Sequence, residues 1–126
     1  MITENCTYDE LTVGQSASLK RIAREEDFLV FANASGNHNP THLSAYDGDG
    51  DGKPEALAPA LWVGSLVSAV LGNVLPGAGT LYRKQDFTFH HHASAGDELT
   101  IAVEVLEKLG DGLVRLETQG AAYQRR

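Results

Sequence analysis

The stretch Pro59–Leu71 reads PALWVGSLVSAVL, and it is the strongest helix pattern in the chain. Proline is favoured at a first helical position because its missing N–H is one that the first turn leaves unpaired, while Gly72 and Pro76 end the helix. Nearly every side of the helix is apolar, and this indicates a buried helix that another element packs against closely. In a domain of this size we expect that element to be a β-sheet.

Strand patterns flank this helix. Alternation of apolar and polar residues marks four segments: Gln15–Ala23, Thr80–Phe89, Leu99–Val105 and Leu113–Thr118. Gly110-Asp111-Gly112 predicts a hairpin turn between the last two segments. Together with the helix, these strands predict one α+β domain over residues 1–126, in which an antiparallel sheet wraps around a long central helix.

A shorter helix precedes a polar loop. Residues 24–27 place three acidic side chains where the positive end of the helix dipole favours them. The inner face of this helix follows at helical spacing through Phe28, Phe31, Ala32 and Ser35. Gly36 is well placed to end the helix in a left-handed conformation. The helix therefore leads directly into the loop Ser35–His42, which reads SGNHNPTH.

The loop Ser35–His42 is the candidate site. Asn37 and His42 lie five residues apart across Pro40, which forbids a continuing helix, so a turn must bring them together. Polar side chains held by a rigid turn are suited to carry chemistry on a loop. The alternatives are a histidine that only bonds the backbone and an asparagine that only forms an Asx-turn.

The composition is that of a soluble globular protein. The chain has 126 residues, of which 42% are hydrophobic and 21% charged, and its net charge of −7 excludes a basic surface for nucleic acid. Residues 1–24 contain no signal-peptide pattern, and the apolar run 56–75 is too interrupted by Gly and Pro for a membrane span. The single cysteine, Cys6, excludes an internal disulfide, so we expect a cytoplasmic protein.

Two patterns resemble metal sites and do not meet their requirements. Asp47–Pro54 begins like a calcium-binding loop, but its twelfth position is Ala58 rather than a bidentate Glu. His90-His91-His92 lies at a strand end, where adjacent side chains point to opposite faces and cannot all reach one ion. We therefore expect a solvated loop, a surface strand end, and no metal or cofactor.

The loop also carries a family motif. Gly36-Asn37-His38-Asn39-Pro40-Thr41-His42 resembles the Gly-Asp-x-Asn-Pro-x-His motif of the MaoC-like, (R)-specific enoyl-CoA hydratase family, which has the hot dog fold. The helix before the motif, the end of the long helix, and the strand and turn over residues 85–97 follow in that family's order. The resemblance covers roughly residues 5–119. It is strongest to the hydratase-like amino-terminal domain of bifunctional enoyl-CoA hydratase/phosphate acetyltransferase proteins.

The resemblance implies a reaction and a role for each motif residue. In the family, the motif Asp and His activate a water that adds to a trans-2-enoyl thioester, and a backbone N–H at the start of the central helix polarises the thioester carbonyl. His42 keeps the histidine position, and Asn39 keeps the asparagine, which we group with the thioester-binding residues. Asn37 stands at the aspartate position, and Ala60 stands where a glycine donates its N–H.

These departures lead to two hypotheses. Because an amide does not exchange a proton near neutral pH, Asn37 can orient a water but cannot act as its acid or base. Pro59 also removes the N–H that precedes Ala60. The first hypothesis is an impaired hydratase or dehydratase of an acyl-CoA or acyl-carrier-protein thioester in fatty acid metabolism. The second is a non-catalytic hot dog domain that binds a thioester or serves as a dimeric scaffold; a thioesterase is less favoured, since no carboxylate is placed for it.

Residues 121–126 lead to an expectation about the sheet and about dimer formation. The hot dog sheet has five strands around its helix, but the six residues after Gly120 are too few for a further strand and its turn. We therefore expect a sheet that lacks a full final strand or is completed by a partner, since an unpaired edge favours association. The family dimerises, so the resemblance implies a homodimer.

Overall fold

The structure is a computed structural model that describes residues 5–43, 50, 52 and 56–124. Its elements are strand β1 (Ser16–Ile22), helix α1 (Glu25–Ser35), a 3-10 turn (Pro40–His42), helix α2 (Ala60–Asn73), strand β2 (Glu98–Gly110) and strand β3 (Leu113–Tyr123). Both predicted helices and three of the four predicted strands are therefore present. None of the helices within those ranges is long and apolar enough to cross a membrane.

The three strands form one antiparallel sheet with β2 in the middle. Ile101 of β2 lies opposite Leu19 of β1 on one side and Gly120 of β3 on the other. The predicted hairpin turn is confirmed between β2 and β3. Asp111 and Gly112 have φ angles of 54° and 75°, and two successive positive φ values match the twist of the flanking strands.

The core lies between the inner face of β2 and one side of α2. Alternate β2 side chains are no more than 2% exposed: Leu99, Ile101, Val103 and Val105. They form one apolar cluster with the buried residues of α2, which include Leu66, Val67 and Val70. The prediction that a sheet covers the long helix is confirmed, although α2 is not buried on every side. Leu61 is 63% exposed. Pro59 occupies the N-cap position, so the helix begins at Ala60 and not at Pro59 as predicted.

Helix α1 attaches to the first turn of α2 through aromatic and charged contacts. The Phe28 ring meets the Trp62 ring edge to face, with centroids 5.2 Å apart. The Arg21 guanidinium lies 5.8 Å from the Trp62 centroid and bonds the Asp27 carboxylate at 2.7 Å. As predicted, α1 ends at a left-handed Gly36, whose φ is 81° and whose N–H bonds Ala32 at 2.8 Å.

One predicted strand does not join the sheet. In the described part of the chain, residues 81–92 form no backbone–backbone hydrogen bond and belong to no strand. Two of the three side chains predicted to share one face do contact the rest of the domain: Gln85 bonds Thr118, and the Phe87 ring lies near Gly64 on α2. Alternation predicts that a segment is extended, but it does not show whether another strand pairs with that segment. Among the described residues, no strand pairs with residues 81–92.

The carboxyl end of the chain extends β3 and adds no separate strand. We predicted the returning strand over Leu113–Thr118, and the structure continues it to Tyr123. Residues 121–123 therefore pair with the start of β2, where Ala122 lies opposite Leu99. Within the described ranges the sheet has three strands.

We predict that Phe28→Ala destabilises the fold by about 3–5 kcal/mol, because it empties a site that is 0% exposed and removes the contact with Trp62. Urea unfolding followed by Trp62 fluorescence measures the change. The matched control is Val13→Ala, which truncates a side chain that is 58% exposed and is expected to change stability by about 0.5 kcal/mol or less. Equal losses in the two variants would contradict this account of the core.

Candidate functional site

The loop after α1 is braced by its own side chains. The Ser35 hydroxyl donates to the Phe31 carbonyl at 2.7 Å and accepts the Asn37 N–H at 3.0 Å. The Asn37 side-chain oxygen accepts the Asn39 N–H at 3.1 Å, and the Asn39 side-chain oxygen accepts the Thr41 N–H at 3.2 Å. These two Asx-turns set the direction in which the chain enters the 3-10 turn.

His42 is held by the backbone of a distant segment. Its Nδ1 lies 2.7 Å from the Leu57 carbonyl oxygen, and the Leu57 N–H donates to the Thr41 carbonyl at 2.8 Å. A carbonyl can only accept, so Nδ1 must carry the proton of this bond. In the neutral ring, Nε2 is then left with a lone pair, which is the form that accepts a proton from a water.

The segment that holds His42 also leads into α2. The Ala58 N–H donates to Ala93 at 2.8 Å, and the Ala95 N–H donates to Ala56 at 2.9 Å, so this segment is fixed against the chain that enters β2. Leu57 lies only three residues before Ala60, the first residue of α2. The hydrogen bonds thus bring the motif histidine and the helix start to the same part of the molecule.

The start of α2 presents unpaired backbone donors. No side chain caps the helix, and Pro59 at the capping position has no N–H. Among the described residues, the N–H groups of Ala60, Leu61 and Trp62 have no hydrogen-bond partner, and Val63 is the first to bond, to Pro59 at 3.1 Å. Free N–H groups at the positive end of the helix dipole favour a partly negative oxygen.

The predicted site residues are only partly brought together. No hydrogen bond joins Asn37 to His42, and both Asn37 and Asn39 are exposed, with their side-chain oxygens used inside the loop. Among the described residues, no carboxylate lies within 4.0 Å of His42. The loop Asp47–Pro54 carries the calcium-like pattern and the carboxylates that follow His42 in the sequence. Apart from Gly50 and Gly52, it lies outside the described residues.

The histidine run at residues 90–92 remains a surface feature. All three side chains are exposed. No group of three or more potential metal-ligating side chains occurs in the portion of the chain that the structure describes.

A cavity of about 700 Å³ borders the start of α2. Its walls are the extended segment 86–92 and β3 residues 118–122, and its floor is Ala60, Val63, Gly64 and Val67 of α2. Neither Asn37 nor His42 lines this cavity. The motif loop and the cavity are therefore separate features that share the start of one helix.

No residue pattern indicated Leu57 as the partner of His42. The contact is made by the Leu57 carbonyl, which every residue possesses, so no residue type could mark it. By contrast, the spacing of Asn37 and Asn39 before Thr41 does predict Asx-turns, and the hydrogen bonds fit that interpretation at both positions.

Comparison with known proteins identifies the family. No family model matches the chain. The 3-hydroxybutyryl-CoA dehydratase of Methylorubrum extorquens is 35% identical over 100 residues, and the match spans 79% of this chain and 64% of that protein. The (R)-specific enoyl-CoA hydratase of Aeromonas caviae is 32% identical over 117 residues, 89% of this chain and 87% of that protein. The chain belongs to the MaoC-like (R)-specific enoyl-CoA hydratase family.

A solved structure supports the fold of this MaoC-like chain. The unliganded (R)-hydratase PhaJ1 of Pseudomonas aeruginosa matches it with a TM-score of 0.86 at 39% identity, covering 94% of this chain and 76% of that one. The α+β arrangement of an antiparallel sheet on α2 is the hot dog fold, as predicted. The likeness to one domain of a bifunctional protein stays a prediction.

We predict that Asn39 stabilises the loop as a cap. Asn39→Ala should cost about 1 kcal/mol, since the Thr41 N–H loses its side-chain acceptor, whereas Asn39→Asp keeps an acceptor and should cost a few tenths. Urea unfolding measures both variants. Unchanged stability in Asn39→Ala, combined with weaker acyl-CoA binding by calorimetry, would instead support the thioester-binding role predicted from the sequence.

Proposed function

We propose that this chain is a hydratase/dehydratase-type domain that acts on the acyl thioester of coenzyme A or acyl-carrier protein, with a proton-transfer pair reduced to its histidine. The observation that carries the proposal is the Nδ1 hydrogen bond of His42 to Leu57, 2.7 Å long. It holds the ring, with a proton-accepting Nε2, against Leu57, three residues before the start of α2. The family supplies the chemistry, since the relatives are named for enoyl-CoA hydration and for 3-hydroxybutyryl-CoA dehydration.

In the hydration direction, His42 Nε2 accepts a proton from a water while the water oxygen forms the bond to Cβ of the enoyl thioester. The protonated His42 then gives that proton to Cα, and the carbon–carbon double bond becomes a single bond bearing a 3-hydroxyl. The bond from Nδ1 to Leu57 keeps the ring in the required tautomer as it gains a proton, because a carbonyl also accepts from the imidazolium.

The thioester oxygen gains negative charge as the water adds. The Ala60 N–H, unpaired among the described residues and at the positive end of α2, is the group we assign to receive it. The Ala60 side chain adds a methyl group that the family's glycine lacks, so a thioester approaches this N–H more closely in an Ala60→Gly variant. Pro59 leaves no N–H at the preceding position.

Asn37 limits the rate. Its side-chain amide can hold a water through a hydrogen bond, but it neither takes nor gives a proton near neutral pH. Losing one general acid–base group typically removes 10²–10⁴-fold of rate, or roughly 3–5 kcal/mol of transition-state stabilisation. We therefore propose that the chain is a slow enzyme. We place it in the cytoplasm, since the only cysteine, Cys6, is unpaired.

One observation favours a second candidate, a domain that binds an acyl thioester without transforming it. The Asn37 oxygen accepts the Asn39 N–H, so one of its two lone pairs is committed to the Asx-turn and the side chain serves the loop whether or not it holds a water. The donors at the start of α2 do not depend on Asn37, and they would still bind a thioester oxygen. Binding and turnover thus rest on different residues, and separate measurements distinguish them.

We predict that Asn37→Asp raises the rate of crotonyl-CoA hydration by about 10²–10⁴-fold, because an Asp oxygen preserves the Asx-turn and restores a proton carrier. Loss of the ultraviolet absorbance of the enoyl thioester reports the rate. The control Asn39→Asp places the same carboxylate two residues further on and should give no gain. Adding His42→Ala to the Asn37→Asp protein should abolish the gain.

An absence of gain in Asn37→Asp, together with heat of acyl-CoA binding by calorimetry, would leave the binding domain as the function. Absence of both turnover and binding in every variant would exclude either thioester role. The Ala60→Gly variant checks whether the helix start is the obstacle, since it should then bind acyl-CoA more tightly than the parent chain.

We also propose a homodimer, on the grounds of the family and of the apolar side chains that α1 and α2 expose. Leu29, Val30 and Leu61 are 54%, 67% and 63% exposed, and exposed apolar surface of this kind is typical of an interface. Sedimentation or light scattering should give twice the chain mass at micromolar concentration. Val30→Lys should shift the equilibrium toward monomer, while Lys20→Glu on β1 should leave it unchanged. A monomer at all concentrations would contradict the proposal.

A further inference from the structure

An arginine occupies the core-facing side of β1. Arg21 lies directly opposite Leu99 in the pairing of β1 with β2, and residues that face each other in this way point to the same face of a sheet. Leu99 is 2% exposed and belongs to the core, and Leu19, the preceding residue on this face of β1, packs against it. A cation at the next inward position needs groups that compensate its charge.

The Arg21 guanidinium reaches the first turns of both helices. Its Nη2 donates to Oδ1 of Asp27, the third residue of α1, at 2.7 Å. Its Cζ lies over Trp62, the third residue of α2, at 5.8 Å from the ring centroid. A cation is attracted to an aromatic face within about 6 Å. One side chain therefore links α1 to α2 where the two helices begin.

Stability alone does not explain this arrangement. The Asp27 side chain is 20% exposed, and the Arg21 side chain is 46% exposed. An ion pair with so accessible a cation adds little to the free energy of folding. Among the described residues, Oδ2 of Asp27 is buried without a hydrogen-bond partner, which costs free energy. The pair is better suited to fix a geometry than to stabilise the fold.

The geometry that the pair fixes is that of the α2 start. No side chain caps α2, and its first N–H groups are unpaired among the described residues. A helix end of this kind frays unless packing holds it. Trp62 is 7% exposed and lies two residues after Ala60, so the contacts of its ring restrain the turn that carries the Ala60 N–H.

We propose that Arg21 is a positioning residue for the Ala60 N–H. By joining Asp27 to Trp62, it holds the start of α2 against the start of α1, and α1 leads into the loop that ends at His42. The inference rests on the proposed function, because it concerns the N–H that we assign to the thioester oxygen. Stabilisation of negative charge by an N–H depends on alignment, so the effect of Arg21 falls on the charged form of that oxygen.

The first test compares two ligands by calorimetry. Acetoacetyl-CoA ionises to an enolate that shares negative charge with the thioester oxygen, whereas butyryl-CoA has a neutral acyl group. We expect Arg21→Met to bind acetoacetyl-CoA about tenfold more weakly than the parent chain, and butyryl-CoA within about twofold. Loss of folded protein would lower the binding of both ligands equally. The control Lys20→Met removes a 71% exposed cation from the opposite face of β1 and should change neither affinity.

Arg21→Lys separates charge from position. Lysine keeps the positive charge but lacks the planar group that spans the carboxylate and the indole. This variant should also bind acetoacetyl-CoA several-fold more weakly, by roughly threefold or more. Full affinity in Arg21→Lys would mean that charge alone acts, and this result would overturn the positioning role.

Hydration of crotonyl-CoA by the Asn37→Asp protein gives a second readout. Adding Arg21→Met should lower kcat about tenfold and change KM by less than about twofold, since the affected interaction is made in the transition state. Because Arg21 acts through Trp62, the same change should have little further effect in a protein that already carries Trp62→Leu. A full tenfold loss in that background would contradict the proposed path.

A further variant allows for the unpaired carboxylate that Arg21→Met leaves behind. Arg21→Met with Asp27→Asn removes that charge and should still discriminate against acetoacetyl-CoA; recovery of affinity would assign the effect to the unpaired charge and overturn the proposal. Unchanged affinities and an unchanged kcat in Arg21→Met would overturn the positioning role and leave the proposed function. Absence of acyl-CoA binding to the parent chain and to Asn37→Asp would overturn both.

Discussion

Burial of one face of β2 against one side of α2 is the constraint on which the rest of the structure depends. Because the β2 side chains alternate strictly, a shift of one residue would turn Leu99, Ile101 and their neighbours to solvent, and the register with β1 and β3 is fixed accordingly. The segment that leads into β2 also fixes the start of α2. Ala93 and Ala95 bond the segment before α2, so the position of the central strand also sets the start of the helix.

The position of the motif loop depends on that arrangement, because the loop is attached to it at both ends. At one end it continues α1, whose Phe28 packs on Trp62; at the other, Thr41 and His42 bond the two polar groups of Leu57. Between these attachments the loop holds its own shape through side-chain oxygens. A ring that is fixed by a backbone carbonyl, on a loop anchored at both ends, keeps one tautomer and one direction. That preorganisation is a property of the fold and does not require a substrate.

Features that depend on local pattern could be predicted from the sequence. The alternation from Leu99 to Val105, the left-handed Gly36 and the hairpin at Asp111-Gly112 follow from periods and backbone preferences that act within a few residues. Features that depend on a distant partner could not be predicted from the sequence. Thr80–Phe89 has the alternation of a strand, yet pairing is decided by what lies beside it, and the hold of Leu57 on His42 uses a group common to all residues. The motif indicated the candidate loop, while the contacts that orient the loop were visible only in the structure.

The substitution at residue 37 separates two roles that an aspartate would combine. An Asx-turn needs only a side-chain oxygen that accepts the N–H two residues later, and an amide supplies it as well as a carboxylate does. Proton transfer needs a group that ionises, and an amide lacks it. The loop can therefore keep its geometry while its chemistry is changed, so a preserved backbone in this motif is no measure of activity. In the function that we propose, the side-chain group at residue 37 decides between turnover and binding of the thioester.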